Sequence, residues 1–402
     1  MREIIKSLPS KQEIESRIKK LFLEINNQKT NWSAAFIVNK VNQYYLTGTL
    51  QDGVFVLKKD GEYAYFARRS YERAKIECII NNVYPMTSYK DILNFTGSAI
   101  QEIYTETETI TYAMLERIKK YFKGIQILSA DKILTKLRSV KSEYELSCME
   151  ESGRQHNYLL ESIVPGLLRD GMSEVDLTAE IYEKMLKLGH HGISRFAMHQ
   201  ADIIIGQLGF GTNSLYPTNF DGPGGMKGMH PAAPIIGERE RRLKKGDLVF
   251  VDIGYGINGY HTDRTQIYMF GSNPSDEVDE IHNECLKIQK QTAALLTPGN
   301  IPSQIYDTII NGLSKDFLQN FMGFKDRKVK FLGHGIGLQV DELPIIANGF
   351  TDPLEENTVL AIEPKKGVDG IGLVGVEDTY IITKNGGKCI TCGEKGIISV
   401  GI

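Results

Sequence analysis

The stretch 248–270 constrains the fold of this chain more than any other. Two apolar runs of strand length, 248–251 and 265–270, meet aspartates at their inner ends, Asp252 closing the first and Asp263 introducing the second. Between them 254–259 is glycine-rich and ends in Asn258-Gly259, a strong signal for a tight hairpin turn. A turn centred on Ile257-Asn258 sets Asp252 opposite Asp263. Centred on Asn258-Gly259, it offsets the two aspartates by two residues and still keeps them on one face, because strand side chains alternate. Like charges facing across a hairpin destabilise it unless a cation lies between them.

Three further residues stand in similarly apolar or glycine-rich settings: His334 in Gly-His-Gly-Ile-Gly, Glu363 in Ile-Glu-Pro, and Glu377 in Gly-Val-Glu-Asp-Thr. A loop centred near Gly370 brings Glu363 and Glu377 to one face by the same parity. Burying one unpaired carboxylate costs several kcal/mol or more, so anions converging on one cavity neutralise, pair or bind metal. Oxygen donors with one imidazole and no thiolate suit Mn, Co, Zn or Fe in a two-metal site rather than a structural zinc.

At 402 residues the chain is long enough for two or three domains. With Lys+Arg 47 against Asp+Glu 50, the net charge of −3 carries no basic excess of the kind that binds nucleic acid. No run approaches about 18 uninterrupted apolar residues, and 1–6 lack the apolar core of a signal peptide, so neither membrane nor export is expected and the location is cytoplasmic. Five cysteines are too few for a disulfide framework, and Cys389-x-x-Cys392, a lone pair in a terminal strand pattern, is expected to be two incidental thiols.

Apolar periodicity predicts a helix over 12–27, strands at 35–38, 54–57 and 63–66, and helices at 69–80 and 112–121. The polar link 137–143 divides the chain into domains 1–138 and 139–402. After it a pattern occurs twice: helices at 142–163 and 174–188 precede the strands with both aspartates, and helices at 275–296 and 302–322 precede those with His334 and both glutamates. Two helix-pair-plus-sheet halves predict a pseudo-twofold domain whose strands form one curved sheet around the site.

These motifs, in this order, resemble the metallopeptidases of the pita-bread fold: methionine aminopeptidase, Xaa-Pro aminopeptidase, prolidase and creatinase. The segments 42–48, Asn-Gln-Tyr-Tyr-Leu-Thr-Gly, and 69–74, Arg-Ser-Tyr-Glu-Arg-Ala, resemble the smaller creatinase-type domain and point to the Xaa-Pro aminopeptidase, prolidase and creatinase branch. The resemblance implies an α+β fold, a creatinase-like α/β N-terminal domain followed by a pita-bread catalytic domain. It implies two divalent ions, with Asp252 on one, His334 and Glu363 on the other, and Asp263 and Glu377 bridging. It also implies a homodimer, and hydrolysis of a small peptide by a metal-bridging water with Glu363 as proton shuttle and His230 as donor to the carbonyl or leaving amide.

Two departures fall on substrate recognition. The relatives' second histidine, in Val-His-Glu-x-Pro, is Asp341 here, and their arginine two residues before the last glutamate is Gly375. A carboxylate repels an oxyanion and attracts an ammonium, so Asp341 is expected to face a substrate of altered charge or to pair with a Lys or Arg. His261, two residues before Asp263 and so on its strand face, is a further candidate substrate contact, whereas His190, His191 and His199 are expected to be solvated or core-satisfied. The alternatives to a peptidase are a metal-dependent hydrolase or lyase of a small non-peptide substrate and a non-catalytic interaction module.

Overall fold

The computed structural model describes residues 7–198, 203–393 and 396–401. It divides into two compact units, Ser7–Arg138 and Ser139–Ile402. None of the described helices is long and apolar enough to cross a membrane.

The first unit is built on a mixed six-stranded sheet. Its strands are β1 (Ala34–Ile37), β2 (Gly53–Lys58), β3 (Tyr63–Ala67), β4 (Val83–Pro85), β5 (Glu102–Thr105) and β6 (Gln126–Ser129), in the order β4-β3-β2-β1-β5-β6. The helix Lys11–Asn27 starts where the Ser10 side chain accepts from Glu13 N, and it buries Ile14, Ile18, Leu21 and Ile25 at helical spacing. The segment resembling the creatinase-type domain forms a helix, Lys40–Thr47, that ends on Gly48 at φ 83°, a conformation costly for residues with a Cβ. Phe36, Val56, Phe66, Ile103 and Ile118 lie in one core beside the sheet.

The second unit contains the repeated pattern. Helices Glu143–Tyr158 and Glu174–Lys187 each begin at a reciprocal capping box, Ser142 with Glu145 and Ser173 with Asp176. They precede β7 (Gly206–Phe210), β8 (Leu248–Ile257) and β9 (Tyr260–Phe270). Helices Asp276–Ala294 and Pro302–Asn311 precede the small hairpin β10 (Gly323–Phe324) and β11 (Arg327–Lys328). Then come β12 (Phe331–Gly335), β13 (Glu342–Ala347), β14 (Val359–Ile362), the hairpin β15 (Lys365–Val368) and β16 (Gly372–Gly375), β17 (Asp378–Thr383), β18 (Gly386–Cys389) and β19 (Ile398–Val400).

Three expectations change. The helix expected over 302–322 ends at Asn311, where Gly312 and Ser314 interrupt it before a short helix Lys315–Leu318. The one expected over 142–163 finishes as a π turn, Leu159–Ile163. The expected single curved sheet is two: β19-β9-β8-β7, and β13-β12-β14-β17-β18. They touch through an isolated bridge, Thr265 to Glu377, where the backbone passes between β16 and β17. A small core of Leu248, Phe250, Ile267, Val368, Leu373 and Val374 packs β15 and β16 against β8 and β9.

Candidate metal centre

Asn258 at φ 52° and Gly259 at φ 92° form the turn between β8 and β9, so Ile257 pairs with Tyr260. Both residues tolerate positive φ, which a tight two-residue hairpin needs. The register then sets Asp252 opposite Thr265 and Asp263 opposite Gly254, the offset arrangement with both carboxylates on one face. In the second half, Lys365 pairs with Gly375 and Val368 with Gly372, a hairpin centred on Gly370. Continued two residues outward, this register aligns Glu363 with Glu377, next to the Ile362–Asp378 pair of β14 and β17.

Donor atoms of Asp263, His334 and Glu377 lie within 4.8 Å of one another, as do those of Asp252, Glu363 and Glu377. His334 Nε2 is 3.6 Å from Glu363 Oε1 and 3.8 Å from Glu377 Oε1. Its Nδ1 donates to Gly335 O at 3.0 Å, which leaves the Nε2 lone pair directed among carboxylates. Thr265 Oγ1 donates to Glu377 Oε2 at 3.1 Å. The resemblance implied that Asp263 and Glu377 span the two halves of the site. Glu363 and Glu377 each direct one oxygen towards His334 and the other towards the opposite half.

That opposite half contains a side chain absent from the sequence expectations. Lys365 is fully buried, and its Nζ donates to Asp252 Oδ2 at 2.9 Å, Glu363 Oε2 at 2.7 Å and Glu377 Oε2 at 2.5 Å. An ammonium has three donors, and all three are used. Burial alone disfavours its charged form, but Asp252, Glu363 and Glu377 outweigh burial and hold its pKa well above the usual lysine range. Burial lifts Asp252 to about 7, with the Lys365 charge pulling the other way, and burial together with Glu377 and Asp252 raises Asp263 well above the carboxylate range. Parity could have found Lys365: it lies two residues beyond Glu363, hence on the same strand face, and directly across from Gly375.

The substrate-side candidates fall elsewhere. His230 is in an exposed turn closed by a His230–Ala233 bridge, with Nδ1 accepting from Ala232 N, and it is not among the grouped donors Asp252, Asp263, His334, Glu363 and Glu377. His261 is fully buried, donating from Nδ1 to Gly337 O at 3.0 Å and accepting at Nε2 from Arg195 N at 3.3 Å, so its ring braces the loop before β7. His191 Nε2 lies 3.2 Å from the same nitrogen, and burial lowers His261 and His190 to about 4. His190 and His191 thus belong to a packed cluster, as expected, while His199 lies outside the described residues. Asp341 is engaged by the backbone of the loop before β7. Its carboxylate accepts from Ala197 N and Met198 N and anchors that loop, and burial raises its pKa.

A cleft of about 450 Å³ adjoins the site, lined by Tyr216, Pro217, Pro223, Gly224, Phe324 and Arg327. A Cβ on Gly224 would lie 2.2 Å from Gln207 Oε1 and 3.2 Å from Asp252 Oδ2, so only glycine lets the wall pass this close to the carboxylate. Arg327 donates to Gly222 O at 2.6 Å and to Phe220 O, pinning this run. Cys389 and Cys392 are disulfide-bonded, not the incidental thiols expected, because β18 and the turn after it hold their Cα atoms 5.6 Å apart.

The donor set of Asp263, His334 and Glu377 fits a divalent ion: oxygens and one imidazole whose lone pair faces inward. The set of Asp252, Glu363 and Glu377, as its side chains stand, surrounds the Lys365 ammonium.

The description of metallopeptidase family M24 matches residues 147–384, and that of the creatinase/prolidase N-terminal domain matches 17–140. An Xaa-Pro dipeptidase of Pyrococcus furiosus is 27% identical over 371 residues, covering 90% of this chain and 94% of its own. An uncharacterized peptidase of Staphylococcus aureus strain USA300 is 26% identical over 386 residues, 94% of this chain and 100% of its own. Among solved structures, the prolidase from Pyrococcus horikoshii OT3 aligns with a TM-score of 0.78 at 23% identity, over 95% of this chain and 100% of its own.

Proposed function

The chain belongs to metallopeptidase family M24, and from that membership we propose that it is a divalent-metal-dependent hydrolase of the Xaa-Pro aminopeptidase and prolidase kind, acting on small peptides with proline after the scissile bond. The observation that carries this reading is the buried group of Asp263, His334 and Glu377 donors within 4.8 Å of one another. These three would hold the ion, with Mn, Co, Zn and Fe all compatible with their chemistry. A bound ion supplies Lewis-acid polarisation of the substrate carbonyl and acidification of water.

The chain's own groups supply the rest. Glu363 Oε2 is tied to Lys365 at 2.7 Å, which leaves Oε1, facing His334, as the atom that takes the proton of the attacking water and returns it to the leaving amine. The cleft beside Gly224 admits the substrate next to Asp252.

A second reading, a small non-peptide substrate on the same scaffold, is favoured by one observation. The positions at which the resemblance places a histidine and an arginine are here a loop anchor, Asp341, and a glycine packed on Lys365. Protein reconstituted separately with Mn, Co, Zn and Fe decides between them against Xaa-Pro dipeptides, longer Xaa-Pro peptides and small amides. Proline release from the dipeptides is the expected result. Turnover of small amides alone moves the function to the second reading, and no proline-peptide turnover with any of the metals removes the first.

A further inference from the structure

Lys365 has no place in a centre that holds two divalent ions. Its ammonium lies 2.9, 2.7 and 2.5 Å from one oxygen each of Asp252, Glu363 and Glu377. Metal–oxygen bonds of about 2.0–2.2 Å to the same three oxygens would put an ion in the space that Nζ fills. Four carboxylates against one ammonium and one divalent ion leave one net negative charge. A second ion would make the cluster net positive and set three cations side by side in a buried site, where like charges are screened least.

The backbone is built to deliver this lysine. β15 pairs with β16 so that Lys365 faces Gly375, and Val368, Leu373 and Val374 pack the hairpin onto Leu248 and Phe250 of β8. A Cβ on Gly375 would stand 2.5 Å from Pro364 O and 2.6 Å from Lys365 Cα. The arginine that the resemblance implies at position 375 therefore has no room, and the cation comes instead from the strand opposite.

Resting on the metallopeptidase reading above, we propose that Lys365 is a built-in replacement for the second divalent ion, so that this chain is a mononuclear centre with its ion at Asp263, His334 and Glu377 and an ammonium at Asp252, Glu363 and Glu377. Lys365 is then a positioning residue that sets the stoichiometry of the site and holds Glu363 in one orientation.

The test is metal stoichiometry on the full chain. Chelator-stripped protein is equilibrated with Mn²⁺ alone, or Co²⁺ alone, and bound ion per chain is measured by elemental analysis, with the Mn²⁺ spectrum read by electron paramagnetic resonance. Wild type is expected to bind one ion and give the uncoupled spectrum of isolated Mn²⁺. Lys365→Met, which keeps the stem and removes the charge, is expected to bind two and show spin coupling. Lys365→Arg, which keeps the charge, is expected to stay at one.

Two ions in wild type would overturn the inference and leave the metallopeptidase reading intact. One ion in both wild type and a folded Lys365→Met would show that the lysine is not what excludes the second. No ion in any of the three proteins would end the metal-dependent reading and the inference with it. The wild-type measurement decides the stoichiometry even if Lys365→Met fails to fold.

Discussion

Glu106, at the end of β5, gives the first unit a pH dependence that can be measured alone. Its carboxylate is 1% exposed and accepts from Val38 N at 2.9 Å, Asn39 N at 3.3 Å and Asn42 Nδ2 at 3.2 Å. Burial raises its pKa to about 7 from 4.5, against the three N–H donors, which act to lower it. A carboxyl with a raised folded-state pKa binds more protons folded than unfolded between the two values. The stability this carboxyl contributes is therefore fully present below about 4.5 and is lost as pH rises through about 7. Moving from pH 8 to pH 5 lets the folded state take up its proton about two units before the unfolded state does, a gain of about 2.5 kcal/mol at about 1.4 kcal/mol per unit. The chain has a single tryptophan, Trp32, buried in this unit, and no histidine precedes His156, so the fluorescence of Trp32 reports the unit without histidine titration. Urea unfolding followed by that fluorescence should show a higher midpoint at pH 5 than at pH 8. Glu106→Gln should flatten the dependence while losing one acceptor for the two backbone amides, at about 1–3 kcal/mol. Equal midpoints at both pH values, or a lower one at pH 5, would refute the claim that burial dominates this carboxyl.

Gly375→Ala forces a Cβ to within 2.5 Å of Pro364 O and 2.6 Å of Lys365 Cα, so the β15–β16 hairpin must open. A loss of about 1–3 kcal/mol by thermal denaturation is expected, with metal stoichiometry altered as the lysine is displaced. Asp341→His removes the acceptor that holds Ala197 N and Met198 N. It should therefore lower stability by about 1–3 kcal/mol without raising proline-peptide turnover, and higher turnover in steady-state kinetics would show that the carboxylate had been a catalytic handicap.

Much of this molecule can be read along the chain because the relevant physics is local. The Asn258-Gly259 turn, the apolar strands on either side of it and the alternation of strand side chains place Asp252 and Asp263 on one face before any long-range contact is considered. The capping boxes at Ser142 and Ser173 begin their helices, and the spacing between Glu363 and Glu377 centres their hairpin on Gly370. The resemblance of the five motifs to one family rests on the same short segments.

Contacts between distant segments decided the rest. His261 shares a strand face with Asp263, but Gly337 O and Arg195 N, brought from elsewhere in the chain, take both of its ring nitrogens. Asp341 was open to a cationic partner in sequence terms, and the fold offered it two backbone amides, which a carboxylate accepts as readily. Cys389 and Cys392 became a disulfide because a turn aligned them. Lys365 is the clearest case. Sequence parity places it on the face of Glu363, yet lysine ordinarily reaches solvent. Only the packing of β15 and β16 against β8, with a glycine opposite to let the strands close, turns its stem inward and gives its charge three carboxylates in place of water. The ligand-bearing motifs are written in short stretches of sequence because each needs only its own strand or turn, but the cation that shares their site was chosen by the tertiary structure, since burial of an ammonium depends on what surrounds it.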